Sequence, residues 1–263
     1  MSVLLALKCL LVPLCILSVT LAGRKLGAKA GGLIAGLPLV ALAILLVLAL
    51  EKGPAYAADA SMAGASGLAA YVAYGAAYCW ASRIVSWPLA YGAAALAWAA
   101  SALFLTFLPN SELLHLLVGA ASLVVAQWVL PPESTGVPAV RSKENLPARM
   151  AAGAALTIIV SALAKIVGGT WAGLFTAYPV LGSITLIGAH RTAGAAEAAR
   201  LYRGMVGGAW SAVVCYPMLA FLLLKFSVPA AFLLATAATL CTPAAFLLLR
   251  RNATPANYGL ERA

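Results

Sequence analysis

Charge is scarce in this 263-residue chain: Asp, Glu, Lys and Arg make up 9% of it, against about 25% in soluble domains. Apolar residues reach 64%, and several runs exceed the ~18 residues that can span a bilayer, so a water-soluble domain is excluded and a polytopic membrane protein is expected. Acidic residues are the rarest charged type. None of the seven lies inside an apolar run: Glu51, Asp59 and Glu112 fall at run ends on one side, and Glu133, Glu144, Glu197 and Glu261 on the other. An ionisable group at depth is costly and by default functional. Its absence argues against carriers that couple to protons or sodium through a buried carboxylate, and against cation or metal exporters, whose ions need oxygen or sulfur ligands.

Catalytic patterns are missing too. The two histidines, His115 and His190, lie in different runs, and there is no HExxH, DxD, GxSxG or paired-carboxylate arrangement. No catalytic residue, metal or cofactor is therefore expected, and the chain is read as not an enzyme. An interfacial pairing of His115 with Glu112, one helical turn away, stays open. Cys9, Cys15, Cys79, Cys215 and Cys241 show no CxxC or His-paired spacing and read as small buried hydrophobes.

What is present is a series of apolar runs of about 20 residues separated by polar or Gly/Pro punctuation. Nine candidate spans fall near residues 3–22, 31–50, 60–82, 86–108, 112–130, 148–167, 171–189, 203–224 and 228–249. The fourth and fifth are separated only by Pro109, Asn110 and Ser111. In the first run the basic cluster Arg24, Lys25 and Lys29 follows the apolar stretch rather than preceding it, so a retained span is expected rather than a secretory signal. The longest polar stretch, 131–147, is too short for a core of its own, which makes residues 1–263 a single membrane domain.

Loop charges supply an orientation. An outside N-terminus and a cytoplasmic C-terminus put thirteen of the seventeen Lys and Arg on the cytoplasmic side and leave only Lys8, Lys52, Lys165 and Lys225 outside, as the positive-inside rule demands. The net charge of +10 is explained by a cytoplasmic rim facing anionic lipid and calls for no nucleic acid.

A skeleton of glycines and one proline occurs twice. Gly27, Gly32, Leu33, Pro38, Gly53 and Gly67 recur 141 positions later as Gly168, Gly173, Leu174, Pro179, Gly194 and Gly208. The offset maps spans one to four onto spans six to nine and leaves span five unpaired. Equivalent spans are then an odd number apart and cross in opposite senses. The expectation is an all-α fold of about nine transmembrane helices in an inverted 4+1+4 repeat: repeat one 1–108, connector span 109–146, repeat two 147–250 and a cytoplasmic tail 251–263. Many secondary transporters share such an inverted arrangement and place substrate near the midplane where the halves meet. Duplication into a merely larger helical bundle is the alternative.

The motif is densest around Pro38 and Pro179. Proline in a helix removes a backbone hydrogen bond and clashes with the preceding turn, so carbonyls near Ala35 and Gly36, or Phe175 and Tyr178, should be partly freed. In a bilayer such groups persist only under protein or beside a watery cavity. Spans two and seven are thus expected to be broken or kinked at these prolines and to face the centre; the competing expectation is a packing kink eased by Gly32 and Gly36. Polar residues follow only the second proline. Substrate contacts are assigned to Gly36, Pro38, Tyr178, Pro179, Ser183 and Thr185, with the last two hydroxyls alternatively bonding back to their own helix. Lys8, about two turns into span one, is matched across the repeat by Arg149, and Arg24 by Lys165. Basic pairs at related positions suit an anionic substrate such as a carboxylate or phosphate, although snorkelling at helix ends explains them as well.

The residues Ala172, Gly173, Leu174, Tyr178, Pro179, Ala189, His190 and Gly194 resemble the A-G-L-x-x-x-F-P run and later A-H and glycine of the GlpM type of small bacterial inner-membrane protein. The resemblance covers spans six to nine, departs by Tyr for Phe and by about one extra helical turn before His190, and implies a multi-pass unit in a bacterial inner membrane rather than a substrate. The functional expectation is a secondary transporter or exporter of a small organic or lipid-linked anion. A scaffold that moves nothing is the second reading, and oligomeric state is not legible. The expected partners are the lipid bilayer and the small anion.

Overall fold

A computed structural model describes residues 3–109, 111–132 and 146–252, with side chains from 14 to 242 except 23 and 165. The side chains of Lys8, Lys165, Arg250 and Arg251, the residues Asn110, Arg141 and Lys143, and the tail from residue 253 lie outside the described residues. Every regular element among the described residues is helical. In chain order these are α1 (Val3–Leu26), α2 (Ala28–Ala35), α3 (Leu39–Lys52), α4 (Pro54–Ala81), α5 (Trp87–Leu105), α6 (Glu112–Val129), α7 (Leu146–Ile166), α8 (Gly169–Thr176), α9 (Val180–Ala193), α10 (Ala195–Lys225) and α11 (Val228–Asn252).

The helix boundaries follow local chemistry. Gly53 and Gly194 sit at φ 98° and 84°, a region L side chains avoid, and each ends one helix while starting the next. Pro54 then occupies the first turn of α4, where a missing N–H costs nothing. Ser111 caps α6 by accepting from the Leu114 N–H at 3.5 Å.

The duplicated prolines break their helices. Pro38 has φ −76°, ψ 35° and Pro179 φ −78°, ψ 65°, close to an inverse γ-turn. In each case the residue after the proline donates to the carbonyl of the residue before it, Leu39 to Leu37 and Val180 to Tyr178, both at 2.8 Å. Phe175 O accepts from Tyr178 N at 3.1 Å. The Phe175 and Tyr178 carbonyls, expected from the sequence to be partly freed, are therefore engaged by the tightened turn itself.

Among the described residues, six stretches are long and apolar enough to cross a membrane: Ala28–Lys52, Trp87–Leu105, Glu112–Val129, Leu146–Ala164, Gly169–Ala193 and Ala195–Lys225. The chain is a multi-pass helical membrane protein. The 28-residue α4 is not among the six because Ala, Gly, Ser and Tyr dominate it. It is buried along most of its length, so it meets other helices rather than lipid. Large apolar side chains instead point outward from α5, α6 and α7, including Leu96, Phe104, Leu113, Trp128 and Ile159, a surface suited to hydrocarbon.

Two close crossings hold the centre. Helix α2 packs on α10 through Gly32, Gly36, Gly204 and Gly208; a Cβ at any of these would collide with backbone of the facing helix. Helix α8 packs on α4, where a Cβ at Gly173 would strike the Ala60 carbonyl. Small residues allow such approach and replace side-chain contacts with backbone contacts. The packing role that the sequence offered as an alternative for Gly32 and Gly36 is therefore present alongside the break.

Candidate functional site

The two breaks share one cavity. Gly36, Leu37 and Pro38 from the first and Tyr178, Pro179 and Gly182 from the second line a space of about 50 Å³, together with Tyr71, Thr176 and Tyr216. Both prolines are buried. Met205 on α10 bridges the breaks: its backbone carbonyl faces Gly36, and its side-chain thioether methyl lies where a Cβ of Gly182 would be. A cavity of this size holds a few waters; pockets for organic ligands run to roughly 300–1,000 Å³.

Around Pro179, mostly behind the cavity lining, the surroundings are polar and aromatic. Tyr74 on α4 donates to Ser183 Oγ at 2.9 Å, and Ser183 Oγ donates to Pro179 O at 2.8 Å. The Tyr178 and Tyr91 hydroxyls lie 3.0 Å apart. Trp98 on α5 meets Tyr178 edge-on with ring centroids 5.0 Å apart and stacks at a tilt against Phe175 at 5.3 Å. Thr176 Oγ1 donates to Gly173 O at 2.6 Å and reaches the Tyr216 hydroxyl at 3.4 Å.

The hydroxyls of span seven do not point their protons into the cavity. Thr185 Oγ1 donates to Leu181 O at 2.9 Å and Gly182 O at 3.1 Å, and Ser183 donates to Pro179 O. Both hydroxyls thus bond to their own helix, the alternative the sequence offered, and present oxygen lone pairs. Tyr178 keeps its partner on another helix.

A second cavity of about 50 Å³ lies further along α9 and shares no lining residue with the first. Thr185, Ala189 and Thr192 line it at helical spacing, and Val19, Thr20 and Arg24 of α1, Arg149 of α7 and Glu197 of α10 complete its wall. The Arg149 guanidinium lies across Gly188, where a Cβ would meet it at 2.7 Å. Thus Gly36, Pro38, Tyr178 and Pro179 gather at the first cavity, Thr185 and Arg149 at the second, and Ser183 one bond behind the first. Lys8 has its side chain outside the described residues.

Sequence reasoning missed the contribution of α4 and α5. Tyr71, Tyr74 and Tyr78 recur at spacings of three and four, which places them on one helical face, and that stripe was a usable signal. Tyr78 lies 3.4 Å from His190 Nδ1, with the rings edge-on at 6.0 Å. His115 is buried and shares a hydrogen bond with Ser66 Oγ at 2.9 Å, while Glu112 is exposed. Among the described residues no cluster of His, Cys, Asp or Glu has the grouping needed to hold a metal ion. Compared with protein-family models, with curated proteins and with solved structures, the chain matches none.

Proposed function

We propose that this protein is a secondary transporter or exporter of a small organic or lipid-linked anion. The carrying observation is that two proline-broken helices, related by the 141-residue offset, face one another across a shared cavity lined by Tyr71, Tyr178 and Tyr216. From there the Gly182, Thr185, Ala189 and Thr192 face of α9 leads to Arg24 and Arg149. The guanidinium groups of Arg24 and Arg149 on the second cavity's wall are the groups that would receive an anion.

The reading takes nine crossings in an inverted 4+1+4 repeat, N-terminus outside and C-terminus cytoplasmic, in a bacterial inner membrane. Support for the repeat comes from matched details. The proline turns, the glycine hinges at Gly53 and Gly194, and the α2–α10 and α8–α4 crossings are all related by 141 positions. Helix breaks at the midplane of such repeats are where transporters bind cargo. A cavity of 50 Å³ admits no organic anion, so transport requires the paired halves to move apart and the cavity to open.

The scaffold reading rests on the glycine crossings, which hold both broken helices against backbone. Metabolite profiling of a deletion strain followed by uptake of the accumulating anion into vesicles separates the two. The carrier reading expects uptake by the wild type and loss of at least about 90% of it in Arg149→Gln. No accumulating anion and no uptake of any tested would leave the scaffold reading.

A further inference from the structure

None of the residues lining the cavity between the two breaks carries a charge, yet three polar groups on them lack part of their bonding. Two are backbone carbonyls at positions related by the 141-residue offset. In a continuous helix the Leu39 N–H would donate to Ala35 O and the Val180 N–H to Thr176 O. Both N–H groups instead bond to Leu37 O and Tyr178 O at 2.8 Å, so Ala35 O and Thr176 O lose their helical donors. The preceding carbonyls, Ile34 O and Phe175 O, face a proline nitrogen in helical register and are recovered by the Leu37 and Tyr178 N–H groups at 3.2 and 3.1 Å. The shortfall is therefore the same single acceptor at each break.

The third group is a donor. Tyr71 on α4 lines the cavity and is 7% exposed, and its hydroxyl has no hydrogen-bond partner among the described residues. Its position is held from behind: the ring stacks on Tyr202 with centroids 5.6 Å apart, and the Tyr202 hydroxyl donates to Tyr71 O at 2.7 Å. Tyr74 and Tyr202, which are as deeply buried, each have an acceptor, Ser183 Oγ and Tyr71 O.

We infer that this cavity binds a cluster of ordered water that accepts from the Tyr71 hydroxyl and donates to the Ala35 and Thr176 carbonyls. Buried polar groups without a protein partner are satisfied by ordered water where the space is polar and large enough. The cavity of about 50 Å³ has room for roughly three molecules. Water suits the site better than an ion does, because one donor and two acceptors surround it. At each break, moreover, the negative end of an eight-residue helix meets the positive end of the next, so the dipoles oppose. The water replaces hydrogen bonds that the proline turns remove. A group that displaces it must likewise both donate and accept, as a hydroxyl or an amide does and an alkyl chain does not. The site stands under the carrier and scaffold readings alike.

X-ray radiolytic footprinting of the purified full-length protein, read by mass spectrometry, tests this with water itself as the probe, because hydroxyl radicals formed from bound water oxidise the ring beside it. Tyr71 is expected to gain oxygen several-fold faster than Tyr74 and Tyr202, which share its ring chemistry and burial but do not line the cavity. Ala41→Leu, which places a larger side chain against the same space, should remove that excess. A wild-type rate at Tyr71 no higher than at Tyr74 and Tyr202 overturns the proposal whether or not the variant folds, and so does an excess that survives in folded Ala41→Leu. Anion uptake is a separate readout: its failure leaves the water site in place, and a dry cavity leaves the carrier reading in place.

Discussion

At Pro38 and at Pro179 the backbone makes the same tight turn, yet the neighbours differ. Beside the first turn are Gly204, Met205 and Gly208 of α10, meeting Gly32 and Gly36 backbone to backbone. Beside the second are Tyr74, Tyr91 and Trp98, which contribute hydroxyls and ring faces. After Pro38 the chain runs apolar from Leu39 to Leu50; after Pro179 it carries Ser183, Thr185 and His190. One break is dominated by close packing and the other by polar contacts. Backbones that turn alike through Gly and Pro thus stand in different surroundings, packed backbone at one break and hydroxyls and rings at the other.

The largest effect should come from the packed break. Gly204→Leu places a branched side chain against the Lys29 carbonyl and the Gly32 backbone, which cannot yield as a flexible side chain would. A cost well above about 3 kcal/mol is expected, read as loss of monodisperse protein in detergent. Gly173→Leu, at the related crossing of α8 on α4, should fail in the same way, and Gly92→Ala, where a Cβ meets nothing, should leave yield and Tm unchanged. If Gly173→Leu is tolerated, the two crossings are not equivalent and the second break owes its position to side chains alone.

Next in size is the polar break. Tyr74→Phe removes the O–H that Ser183 Oγ accepts, in a position where Tyr74 is fully buried. Ser183 keeps its bond to Pro179 O, so no donor is stranded. Destabilisation of about 0.5–1.5 kcal/mol follows, visible as a modest drop in Tm. A cost below that range would mean the aromatic packing, not the hydroxyl pair, positions α9 against α4.

Much of the fold was legible because its determinants are local. Proline lacks an N–H wherever it stands, so breaks at Pro38 and Pro179 could be read without knowing their surroundings. Long apolar runs announce helices in the same way. The site was legible only in part. Tyr74 meets Ser183 across 109 positions, and Tyr71 joins Ala35 and Thr176 at one cavity only after α2, α4 and α8 have packed. Hydropathy misjudges α4 for a related reason: a helix enclosed by other helices needs small residues more than apolar ones.

The smallest effect tests whether polarity after Pro179 has a use. Thr185→Val keeps the β-branched shape and removes an O–H that bonds only to Leu181 and Gly182 carbonyls of its own helix. Those carbonyls are also acceptors for the helix backbone, so stability should stay within about 0.5 kcal/mol of wild type. Anion uptake should respond differently. Thr185 lines the cavity that holds Arg24 and Arg149, and valine makes one wall of the path apolar without altering its width. The expected result is an unchanged Tm with a several-fold higher KM, restored by Thr185→Ser. If both Tm and KM are unmoved, the hydroxyls of α9 serve only their own helix, and the chemical contrast between the two breaks shrinks to Tyr178 and its aromatic partners.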